Sequence, residues 1–157
     1  MRTMTMKGKF ALMALFILAA LSMFAACESG PPQISIEAAR AEMSPAIVGE
    51  AMVTMNIKNE GGPDVLTSVK ADIPGARISL HIMQGERMVA ADTLKIAAKK
   101  ATEFKMGSSH IMIEGMPNTI KAGSKIDLTL VFQKSGEKKL SLTLQPASNM
   151  PMEHHHM

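Results

Sequence analysis

From Ile34 onward the chain consists of short apolar-rich runs separated by turn residues, and that punctuation commits it to β structure. The runs are ISIEAA, AMVTMNIKN, VLTSVKA, ARISLHIM, MVAADTLKI, TEFKM, HIMIEGM, KIDLTLVF and LSLTLQP. EGGPD and QKSGEKK supply two of the turns between them. Strands of this length and spacing predict an antiparallel sandwich or barrel over residues 34–146, and no stretch of that region has room for a helix. After Pro146 the pattern stops.

The first 26 residues obey a different rule. MRTMTMKGK carries three cations and no acid, the apolar run FALMALFILAALSMFAA follows, and the sole cysteine, Cys27, comes next. A basic start, an apolar stretch short for a membrane span and small residues before a cut site describe an export signal. Phe24-Ala25-Ala26-Cys27 resembles the bacterial lipobox, which implies that Cys27 is acylated and becomes the mature N-terminus, tethered by 27–33. A lone thiol in an oxidising compartment would otherwise be a liability. The expected location is the bacterial cell envelope, with the domain facing the periplasm and held to a membrane by lipid.

Removing Arg2, Lys7 and Lys9 also removes the formal charge of +3, leaving as many basic as acidic residues in the mature chain. Its only aromatic residues are Phe104 and Phe132, so a nucleic-acid partner is not expected. Nor does the sequence carry a nucleophile–histidine set, a paired-carboxylate signature or a glycine-rich phosphate loop, so it is not read as an enzyme.

What stands out is methionine, sixteen in all, and its company with histidine. The tripeptide HIM occurs twice, at 81–83 and 110–112, and holds the only histidines before the last few residues. Strand alternation puts Ile78, Leu80 and Ile82 on one face and Ser79, His81 and Met83 on the other. In the second run Ile111 and Ile113 lie opposite His110, Met112 and Glu114. Each strand therefore buries isoleucine and presents imidazole with thioether. Gly85-Glu86 predicts a two-residue hairpin loop of type II′, which sets Met83 opposite Met88 and makes Met88 diagonal to His81. His81, Met83, Met88, His110 and Met112 thus form a candidate metal site. Imidazole and thioether without thiolate or carboxylate are a soft donor set suited to Cu(I). Thioethers also need no deprotonation and form no disulfide. Met43, Met52, Met55, Met106 and Met116 have no place in this pattern and are expected in the core or scattered on the surface, with Met116, close to the site in sequence, the first expected exception.

At these residues the chain resembles the PCuAC family of periplasmic copper chaperones. The family motif has twenty-one residues between a methionine and an HxM, as between Met88 and His110-Ile111-Met112 here. Its first half has ten residues between histidine and methionine, against six between His81 and Met88. Shortening a hairpin by two residues per arm preserves the facing of every side chain. The similarity extends over roughly 40–145, through MNIKNEGGPDVLTSV, KMGSSHIMIEGM and IKAGSKIDLTLVFQKSG. It implies a Greek-key, cupredoxin-like β-sandwich that holds Cu(I) through His81, Met88, His110 and Met112. It further implies delivery to the CuA subunit of cytochrome c oxidase, alongside or through a Sco-type thiol protein.

The C-terminal NMPMEHHHM gathers Met150, Met152, His154, His155, His156 and Met157. Such tracts bind metal by composition, imidazoles favouring Cu(II) and sulfurs Cu(I), so 147–157 is read as a tail able to capture copper. A remnant of an expression tag and an end without a role are the alternatives for these residues. For the whole chain, a copper buffer with no dedicated acceptor and a metal-free envelope binding domain are alternatives to a chaperone.

Overall fold

The computed structural model describes residues 30–147; the export segment, Cys27 and the Met/His-rich C-terminal residues lie outside them. Ten strands follow one another with no helix among the described residues: β1 (Ile34–Met43), β2 (Ala51–Asn59), β3 (Asp64–Ala71), β4 (Arg77–Gln84), β5 (Arg87–Ala91), β6 (Leu94–Ile96), β7 (Lys100–Phe104), β8 (His110–Glu114), β9 (Lys125–Phe132) and β10 (Gly136–Gln145). The all-β expectation is met.

Alternation explains which side of each strand is inside. In β2, Ala51, Val53, Met55 and Ile57 are buried while Met52, Thr54, Asn56 and Lys58 are not. In β9, Ile126, Leu128, Leu130 and Phe132 point inward. With Leu66, Ile96, Phe104, Ile111, Ile113 and Leu144 they fill the space between two layers. One layer runs β5-β4-β8-β2-β1, with β7 also paired to β2; the other runs β10-β9-β3-β6. The layers join where β1 meets β10 at Ala41↔Leu144 and Glu42↔Gln145. This pair is parallel, the one departure from an otherwise antiparallel sheet, because β10 turns back along β9 and closes against β1 from the other layer.

The path ends on β5 at one side and β6 at the other, yet the two are consecutive in the chain. MVAADTLKI reads as a single run in the sequence; in the structure it breaks at Asp92–Thr93, a polar pair suited to a turn, and crosses from one layer to the other. The sheet is thereby almost closed into a flattened barrel, and both free edges are short. β1 also outruns the expected ISIEAA. A register shift between Glu37 and Arg40, with Ala38 at φ +51°, is a bulge that lets the strand continue to Met43.

The chain enters the domain before β1. Gly62 and Glu60 donate to the carbonyls of Pro31 and Gln33, at 3.3 and 3.0 Å. Asn59, buried at the end of β2, satisfies all its amide groups: Oδ1 accepts from the backbone of Gln33 and Gly61, and Nδ2 donates to the carbonyls of Gly62 and Ala97. Gly61 is required by close approach, since a Cβ there would stand 2.0 Å from the Pro31 carbonyl oxygen. The last residues of the expected tether are therefore fixed on the β2–β3 turn.

Candidate metal centre

β4 runs antiparallel to β8, and their register pairs Ser79 with Met112 and His81 with His110. The odd-numbered residues of β4 that face outward thus meet the even-numbered residues of β8 that do the same. Leu80, Ile111 and Ile113 turn into the core on the opposite side. Both histidines are half-buried, and their rings lie 5.2 Å apart between centroids at an angle of 63°. Two imidazoles bound to one tetrahedral ion, with metal–nitrogen bonds of about 2 Å, would have centroids about 5 Å apart. The observed spacing fits that geometry.

The hairpin above the pair has the expected register, Met83↔Met88 and Gln84↔Arg87. Gly85 has φ +62° and Glu86 is not at positive φ, which satisfies a type II′ turn and excludes type I′. Met83 and Met88 are both 37% exposed, and Met88 is diagonal to His81, whose direct partner on β5 is Ala90. Along the face, then, Met83 and Met88 flank the imidazoles on one side and Met112 on the other; Met83 and Met112 are each two residues from a histidine, and Met88 is two residues from Ala90, the partner of His81. The register puts all five candidates from within the domain on one face and the two imidazoles against each other; Met150, Met152, His154, His155, His156 and Met157 lie outside the described residues.

The protons around the pair are arranged unequally. Nδ1 of His110 donates to the Ser108 carbonyl at 2.8 Å, which leaves its Nε2 lone pair available. Fixing the tautomer by a backbone carbonyl is the usual support for a metal-binding imidazole. Nε2 of His81 contacts the Ser79 hydroxyl at 3.3 Å, a contact that a rotating hydroxyl can release. No three His, Cys, Asp or Glu side chains among the described residues gather into a metal-binding group. Glu114, on the same face, is held by Arg77 at 2.9 Å. The donors offered here are nitrogen and sulfur.

Burial sorts the remaining methionines. Met55 and Met116 are buried and Met43 packs against the core. Met116, close to the site in sequence and the first expected exception, is instead core filler: its backbone N–H donates to Gly49 at 2.8 Å, at the end of the β1–β2 loop. Met106 is exposed in the loop between β7 and β8. Met52 is different. It faces outward from β2 and stands directly opposite Met112. The sequence signal was its alternation with Thr54, Asn56 and Lys58, all polar, but only the β2–β8 register reveals the partner.

A family model for LpqE-like lipoproteins matches residues 34–144. The chain belongs to the LpqE-like family. No curated protein matches this LpqE-like chain in sequence. Its fold is that of solved PCuAC domains. The copper-bound PCuAC domain from PmoF2 aligns at 22% identity with a TM-score of 0.60, covering 74% of this chain and 96% of that one. The apo form of the PmoF2 domain gives 0.63, again at 22% identity, over 79% and 98%. CuI-DR1885 from Deinococcus radiodurans gives 0.57 at 17% identity, over 80% and 85%.

Proposed function

We propose that this LpqE-like domain is a Cu(I) carrier of the bacterial cell envelope. The carrying observation is the β4–β8 register, which sets His81 beside His110 with thioethers on both sides. The likeness of the fold to PCuAC domains solved with copper supports the same reading. His81, His110, Met88 and Met112 hold the ion, with Met83 as an auxiliary sulfur at the hairpin. The donor set matches a soft monovalent ion, whereas zinc would draw on thiolate or carboxylate.

The domain carries the ion rather than catalysing a reaction. Release proceeds by ligand exchange. The hairpin methionines are partly exposed, so an incoming thiolate or imidazole of an acceptor enters the coordination sphere before a thioether leaves. The acceptor is the CuA subunit of cytochrome c oxidase or a Sco-type thiol protein, and an acylated Cys27 keeps the carrier at the membrane. The C-terminal methionines and histidines collect copper, including Cu(II) at the imidazoles.

X-ray absorption at the copper edge of the reduced, singly loaded protein tests the site. Two nitrogen and two or three sulfur neighbours are expected. A first shell of nitrogen and oxygen without sulfur would overturn the assignment.

A further inference from the structure

Met52 lies outside the donor set just described, and its surroundings give it a role of the same kind. Of the four outward residues of β2, three are Thr54, Asn56 and Lys58; the one apolar side chain is the one opposite Met112. Apolar side chains on the wet face of a strand are ordinary when scattered, but this one is half-buried and paired across the strands with a proposed ligand. Directly paired residues have Cβ atoms about 4.5–5.5 Å apart, and each thioether sulfur lies two flexible bonds further out. Two sulfurs on one ion, at about 2.3 Å each, are within reach of such a pair.

We propose that Met52 and Met112 form a second, outer Cu(I) position beside the His81–His110 site, with Met112 common to both. The inference rests on the carrier reading. A shared thioether lets the ion pass by exchanging the Met52 sulfur for an imidazole nitrogen while the Met112 sulfur stays bound. Only metal–ligand bonds form and break, the copper remains monovalent, and no proton need move because His110 already carries its proton on Nδ1.

The position also shares a row with the last residue of β10. One row of paired residues crosses the sheet as Ser79, Met112, Met52, Glu42 and Gln145. Gln145 is therefore two strands from Met52, about 10 Å at the usual strand spacing. Met150 is five residues further along the chain, a contour of up to about 17 Å. The C-terminal donors can reach the outer position, and copper they capture enters the domain through Met52.

The test is a titration of residues 28–157, free of the competing Cys27 thiol, with anaerobic Cu(I) and methyl-labelled methionine observed by NMR. The expected result is that the Met83, Met88 and Met112 methyl resonances move with the first equivalent. Those of Met52 and Met112 then move together as further copper is added, up to an excess that saturates the C-terminal donors. Met52→Leu, which keeps the packing, should abolish this second movement at Met112 and leave first-equivalent affinity within about twofold. A Met52 methyl that stays still throughout, or a second movement at Met112 that survives Met52→Leu, would overturn the outer position while leaving the carrier intact. No response at Met83, Met88 or Met112 to the first equivalent would instead remove the carrier reading, and the outer position with it.

Discussion

At the residue scale the chemistry depends on which atoms a strand turns outward. Replacing Met88 and Met112 together by alanine removes two sulfurs and leaves the imidazoles. Cu(I) affinity should fall by about 100-fold or more, while Cu(II), which depends on nitrogen, changes far less. Competition against chelators of known affinity for each oxidation state checks both, and unchanged Cu(I) binding would contradict the site. His81, Met83, Met88, His110 and Met112 could be named from the sequence because period-two alternation and a glycine at the first turn position fix their facing locally. Met52 could not be paired in this way: its partner lies sixty residues away, and register between distant strands is not written in either strand alone. Met116 misleads in the opposite direction, being near in sequence yet inside the core.

At the scale of elements, turns decide where the strands begin. Asp64 opens β3 and is only 3% exposed, yet it holds the β9–β10 turn: its carboxylate accepts from the backbone of Val65, Lys134 and Ser135 and from the Ser135 hydroxyl. Burial alone would raise its pKa, but these bonds outweigh it and hold the carboxyl below its ordinary value. The stabilisation is therefore complete above the unfolded-state pKa of about 4 and is lost as pH falls through the lower folded value. Asp64→Asn should lower unfolding free energy by about 2–3 kcal/mol at pH 7, with the gap from wild type shrinking below pH 4. Urea melts at several pH values measure this, and a gap independent of pH would refute it. EGGPD and QKSGEKK are legible as turns from composition, but that the aspartate of one ties down the other is a tertiary fact. The break at Asp92–Thr93 was equally hidden, since MVAADTLKI has strand character throughout and only the crossing between layers interrupts it.

At the scale of the whole molecule, the described segment enters and leaves the fold at different places. Pro31 is held against Gly61, where β2 ends, so Gly61→Ala must push the incoming segment away or distort the turn. Such a variant should lose about 2 kcal/mol or more of stability, read from thermal melts, with Cu(I) stoichiometry at the distant histidine pair retained once folded. Truncation after Ala147 separates a carrier from a buffer. A carrier keeps one tight Cu(I) equivalent, a buffer loses most of its capacity, and equilibrium dialysis counts the difference. The common face of the five candidate residues and the all-β plan were readable in advance because both rest on local alternation. The near-closure of the sheet was not, because it depends on β1 finding β10 across the whole length of the domain. The clamp at Pro31 has one more consequence. Whatever grips residue 30 grips the domain at the Asn59 end of β2, while Met52 and its neighbour Met112 stand at the other end of that strand, so a pull on that residue is borne by the β2–β3 turn and not by the candidate site.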